Sequence, residues 1–169
     1  PYKVWDNESP TPHLGCDYQV ERKKLKTGEV ITKVRASMGD YFRDIVKRFE
    51  ERMKVSVKDA ETPWVDSGAA KRYKDEENQD GIYGWMAASP LMAVLYGARS
   101  CRADLIIPCL RLARRLTRWN AFDDRKLLRF LGYVRKFADL ALTGSLSSAD
   151  LSSAILKVWP DADLAGEPE

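Results

Sequence analysis

Apolar residues recur along this chain with two different periods, and the change of period marks out its elements. Leu14 to Val20 and Val30 to Val34 are short runs flanking the charged turn Glu21 to Glu29. The second run is rich in β-branched residues and Gly28 gives the turn its backbone freedom, so the pattern predicts a β-hairpin with a basic tip. Phe42, Ile45, Val46, Phe49 and Met53 then recur every three or four residues, with Arg43, Asp44, Lys47, Arg48, Glu50 and Glu51 on the other face. That spacing predicts an amphipathic helix burying one stripe. Ser37-Met38-Gly39-Asp40 has the Ser-x-x-acid spacing of a capping box at its start.

From Lys54 the periodicity dissolves. Pro63 blocks a helix, and Asp66 to Gly81 offers almost no apolar residue to bury, so ordering it would cost backbone entropy without return. A mobile linker is expected over 54–83, with Trp64 anchoring its start to the core. Helical spacing resumes at Ser89-Pro90, an N-cap followed by proline at the first helical position. Leu91, Val94, Leu95 and Ala98 supply the apolar face, and Gly97 permits close packing or an early stop. Asp104 can cap a second helix whose stripe is Leu105, Ile106, Cys109, Leu110, Ala113 and Leu116, or that helix begins at Pro108. A third runs from near Asn120 or Asp123 to about Leu142, buried through Leu127, Leu128, Leu131, Val134, Phe137, Ala138 and Ala141. Asp123 and Asp124 stand at the positive end of its dipole. Gly132 weakens that helix by about 1 kcal/mol, which close helix contact would explain. A Ser-rich loop and an apolar strand ending at Trp159 to Gly166 follow. The expected fold is therefore α+β and mainly helical, divided into hairpin and helix (1–53), linker (54–83), basic three-helix bundle (84–144) and loop with final strand (145–169).

Composition narrows the function classes. A chain of 169 residues, 44% hydrophobic and 31% charged, holds one modest domain or two small ones. No apolar run approaches the roughly 20 residues that cross a bilayer, and Pro1 to Asp6 lacks the layout of a signal peptide. An intracellular chain, cytoplasmic or nuclear, with no membrane partner is expected. A net charge of +3 is too small to argue for nucleic acid; its distribution says more. Between Arg102 and Lys136 ten basic residues face only Asp104, Asp123 and Asp124. Cys16, Cys101 and Cys109 form no Cys-x-x-Cys pair, which favours buried, inert thiols over zinc or a disulfide framework.

Several motifs carry a family resemblance. Leu95-Tyr96-Gly97-Ala98-Arg99-Ser100-Cys101-Arg102-Ala103-Asp104-Leu105, Arg111-Leu112-Ala113-Arg114, Arg129-Phe130-Leu131-Gly132-Tyr133-Val134 and Asp161-Ala162-Asp163-Leu164-Ala165-Gly166 stand in order. Upstream lie His13-Leu14-Gly15-Cys16-Asp17, the helix Tyr41 to Phe49 and Glu61-Thr62-Pro63. Together they resemble the thumb and connection region of a copia-type retrotransposon reverse transcriptase, running into the start of RNase H. Three positions depart from the family pattern: Ala103 replaces a proline, Pro108 interrupts a helix, and Leu164 replaces a tryptophan.

The resemblance implies a fragment of an RNA-directed DNA polymerase polyprotein. Its Tyr-x-Asp-Asp polymerase motif is expected upstream and most of RNase H downstream, so the chain alone is expected to be inactive. Implied partners are the RNA/DNA template-primer duplex and the remainder of the polyprotein. Arg111, Arg114, Arg115, Arg118, Arg125 and Arg129 are the candidates for duplex phosphates, since planar guanidinium groups suit bidentate phosphate contacts. Asp161 matches the first catalytic carboxylate of RNase H, and Asp161 with Asp163 would bind Mg²⁺ only in a complete RNase H domain, where two ions activate water and stabilise the leaving oxygen. No cofactor is expected for the chain alone. Two alternatives remain: a standalone nucleic-acid-binding module, and a degenerate structural or interaction domain.

Overall fold

The computed structural model describes residues 15–64, 76–151 and 153–155. Strands β1 (Asp17–Lys24) and β2 (Val30–Ser37) form the expected hairpin. Its register runs from Asp17 opposite Ser37 to Lys24 opposite Val30. Glu21 to Lys24, expected in the turn, are strand, because each finds a partner in β2. The turn itself is Leu25 to Glu29, closed by Leu25 N–H donating to Glu29 O at 2.7 Å, with Gly28 at φ +88°.

Helix α1 (Gly39–Met53) follows directly. Ser37 does not cap it: the β-ladder claims Ser37, the N-cap is Met38, and no side chain caps the helix. Met38 is buried, as are Phe42, Ile45, Val46 and Phe49, each contributing about 1.5–3 kcal/mol by leaving water. The helix ends at Lys54, a left-handed residue whose N–H returns to Glu50 O.

Residues 54–64, expected as the start of a mobile linker, are instead laid along the helical body. Val57 is buried and its N–H donates to the Glu50 side chain at 2.7 Å. Trp64 packs against the core as expected. The middle of the expected linker, 65–75, lies outside the described residues.

Helix α2 (Gly84–Cys101) begins six residues before Pro90, the expected first helical position. Met86 and Ala87 are buried in line with Leu91 and Val94, and that burial carries the helix back over Pro90, which sits inside it. One hydrogen bond, to the Met86 carbonyl, is forgone. Gly97 serves close packing: a Cβ there would lie 2.7 Å from the Phe42 ring. A 3₁₀ turn at Ala103–Leu105 leads into α3 (Ile106–Ala113). Pro108 falls in its first turn, where the missing N–H costs nothing. A second 3₁₀ turn, Leu116–Arg118, leads towards α4 (Ala121–Lys136).

Helix α4 buries Leu127, Phe130, Leu131 and Val134 against the other helices. It stops at Lys136, short of the expected Leu142, because Leu142–Ser147 forms β3 and pairs with β2. The sheet order is β1-β2-β3, all antiparallel. A C-terminal strand is thus present, and a single helical turn, α5 (Ser148–Leu151), follows it. The strand expected to end at Gly166 falls outside the described residues.

Gly132 has a different neighbour from the expected one. A Cβ there would lie 2.0 Å from the Lys58 carbonyl oxygen, so the close approach is to the extended backbone of 54–64 and not to a helix. Gly132→Ala should displace that segment and destabilise the fold by about 1–3 kcal/mol, the usual range for overpacking, read as a lower urea midpoint at unchanged m-value.

Candidate nucleic-acid interface

The start of α4 fixes the arginine-rich face. Asn120 is its N-cap, and a reciprocal capping box joins Asn120 and Asp123. Asp123 is fully buried, and its charge is met by Arg115 at 3.0 Å and Lys126 at 2.9 Å. Asp124, also buried, accepts from the N–H groups of Ile82 (2.6 Å) and Tyr83 (3.0 Å) and from Trp119 Nε1 (2.6 Å). These two carboxylates were expected as dipole partners, and the structure gives them a larger task. They bind the chain before α2 and the chain after α3 to one helix end.

Most of the positive field is consumed inside the fold. Arg102 is buried, bidentate to Asp104 at 2.8 Å, and donates to Phe137 O. Arg135 bonds Glu50 at 2.9 Å and Asp59 at 2.8 Å and donates to Val57 O, while Lys136 pairs with Glu61. Arg125 forms a two-pronged pair with Glu76. Arg129 donates to Trp64 O at 3.1 Å and Thr62 Oγ1 at 2.7 Å. Of the six arginines singled out, Arg115, Arg125 and Arg129 are therefore held by protein partners.

Arg111, Arg114 and Arg118 are different. All three are exposed, and none forms an ion pair among the described residues. Arg111 lies over the Trp64 ring at 5.4 Å, a cation–π contact. Arg114 and Arg115 keep helical backbone angles between α3 and the 3₁₀ turn. The three arginines are thus spaced by three and four residues along a nearly continuous helical path, which brings them to one side.

A second surface was not anticipated. The interval Gly84 to Cys101 contains no Asp or Glu, and Trp85, Met92 and Tyr96 are exposed along the outside of α2, Trp85 at 69%. The missing acids were readable in the sequence. Starting the helix at Ser89 hid Trp85 from the pattern.

Asp161 and Asp163 lie outside the described residues. Among the described residues no group of three His, Cys, Asp or Glu side chains could hold a metal ion. Cys16, Cys101 and Cys109 are all buried, and burial pushes Cys101 and Cys109 up to about 11. No described helix is long and apolar enough to cross a membrane. No family model, curated protein or solved structure matches the chain.

Two exposed-edge carboxylates report on the ion pairs. Burial raises Asp104, but the Arg102 guanidinium, through hydrogen bonds and charge and with the Tyr133 hydroxyl, outweighs it and holds Asp104 below its ordinary value. The hydrogen bond and charge of Arg125 hold Glu76 down in the same way. Folded pKa values below the unfolded ones give stability that is present above the ordinary carboxylate range and lost as pH falls through the folded values. Urea midpoints should therefore decline between about pH 5 and pH 3, and less steeply in Glu76→Gln than in the parent chain.

Proposed function

We propose that this chain is the part of a copia-type reverse transcriptase that holds the template-primer duplex and joins the polymerase to RNase H. Arg111, Arg114 and Arg118 are the phosphate contacts. The observation that carries this reading is the division among the arginines. In a stretch where most basic groups are neutralised by carboxylates or carbonyls, three exposed ones on one side are not. Arranged groups of that kind suit a polyanion, because guanidinium forks match phosphate oxygens. Phosphate contacts carry little sequence information, as a polymerase that copies any template requires.

The order of elements supports the parentage: hairpin, helix, a helix carrying Leu95-Tyr96, a short helix followed by Arg114, Arg115 and Arg118, and a helix carrying Gly132-Tyr133. The outer face of α2 suits the same role, since it brings no negative charge towards a nucleic acid. Polymerase and nuclease chemistry belong, on this reading, to the flanking parts of the parent polyprotein.

Affinity for an RNA–DNA hybrid, measured by fluorescence anisotropy, should fall steeply with salt. Each phosphate contact contributes about 0.9 to the slope of log K against log salt. Arg114→Ala with Arg118→Ala should lower that slope by about 2. Arg125→Ala should leave the slope unchanged and lower stability instead. Absence of binding to duplexes at low salt would end both this reading and that of a standalone binding module.

A further inference from the structure

The outer side of α2 carries a stripe that the described residues leave open. At about 100° per residue, Trp85, Met92, Tyr96 and Arg99 fall within an arc of about 60° and span about 21 Å of helix axis. Trp85 is 69% exposed, Met92 46% and Tyr96 45%. Both aromatic rings have a neighbour that steadies them. The Arg52 guanidinium lies 5.6 Å from the Trp85 ring centroid, and Tyr41, whose hydroxyl donates to Ala93 O at 3.0 Å, meets Tyr96 edge to face at 6.0 Å. Arg52 and Arg99 are exposed, and neither forms an ion pair among the described residues. They stand at opposite ends of the stripe. Beside it a cleft of about 460 Å³ opens between α1 and α2, bordered by Arg48, Phe49, Arg52, Met86 and Pro90. Arg48 is paired with Asp44, and the one acid at the cleft, Glu51, lies near Lys47.

Large apolar side chains scattered singly over a surface need no explanation, but a contiguous row of them marks a binding site. Here each exposed ring has an unpaired guanidinium near it, and no acid occurs from Gly84 to Cys101. A purely apolar partner would leave both cations unmatched. A strand of nucleic acid offers a flat base to each ring and a phosphate to each guanidinium. We propose that this face binds an unpaired strand of nucleic acid, with one base stacked on Trp85, another on Tyr96, and phosphates at Arg52 and Arg99. A duplex suits the rings less, because only unpaired bases can be splayed out to stack on aromatic side chains. Length fits: about 21 Å accommodates about four nucleotides, the small end of single-strand site sizes. Stacking accepts every base, since each has a π-face. The inference rests on the proposed function only in taking nucleic acid as the ligand, and its residues are separate from Arg111, Arg114 and Arg118.

Anisotropy titrations of the full chain test it, comparing a blunt RNA–DNA hybrid with one that carries a single-stranded extension of about six nucleotides. The extension should strengthen binding about tenfold or more. Trp85→Ala with Tyr96→Ala should abolish that gain and leave the blunt-hybrid affinity and the urea midpoint unchanged. Arg114→Ala with Arg118→Ala should weaken both ligands alike. No gain from the extension, or a gain that survives loss of both rings, would overturn the proposal and leave the duplex reading standing. Failure of the blunt hybrid to bind would sink the duplex reading alone; an isolated oligothymidine then carries the test, and its affinity must still fall about tenfold when both rings are removed. As a second measurement, 5-iodouracil in the extension should photo-cross-link to Trp85 or Tyr96. Cross-links confined to other residues overturn the proposal, as does self-association that Trp85→Ala abolishes, which would place a second copy of the chain on this face.

Discussion

The helical body depends on the carboxylate of Asp124. Its two oxygens take three donors from two separate stretches of chain, Ile82 and Tyr83 before α2 and Trp119 before α4. A buried carboxylate left with fewer donors is costly, since each unmatched buried polar group forfeits about 1–3 kcal/mol. Asp123 beside it is satisfied by the N-cap and by two cations. Because both residues sit in the first turn of α4, the helix dipole favours their charge. The position of α2 against α4 is set at this junction, and the apolar stripes then close around it.

Much of a concentrated run of basic residues is thus spent on holding one fold together. Arg135 and Lys136 pin the extended segment 54–64 to α4, and Gly132 lets that segment approach closely enough for them to reach it. Arg102, stacked near the rings of Phe42 and Tyr133 at 5.7 and 5.9 Å, ties α4 to the turn before α3. What a ligand can meet is the remainder. Charge density along a sequence therefore overstates the available field wherever carboxylates return from distant positions, as Glu50, Asp59, Glu61 and Glu76 do here.

The helices were legible because their stripes are local: Phe42 to Phe49 and Leu127 to Val134 declare their period within a few turns. Their ends were less so. Ser37 and Ser89 both offered good caps, yet the ladder took Ser37 and the burial of Met86 and Ala87 carried α2 past Ser89. The segment from Leu142 to Ser147 has little strand character of its own; it becomes β3 because β2 presents an unpaired edge that only a distant part of the chain can fill. The same holds for Glu21 to Lys24, whose charges disguise a strand stabilised by its partner. Among the arginines the sequence marked out the basic stretch but not which members pair internally, since that choice rests on partners up to 85 residues away, as with Glu50 and Arg135.

Among the described residues the sheet packs on the helical core around Cys16, Tyr18, Ala36 and Met38, at one end of strands about 27 Å long, and meets the single turn α5 near the other. Such an attachment behaves as a cantilever. Opening should begin at the tip around Leu25 to Glu29 and move inward one pair at a time, and the helical core would register nothing until the wave reached Ala36. Evolution is therefore free to recharge or reshape the outer end of this arm with almost no penalty to the body that carries it.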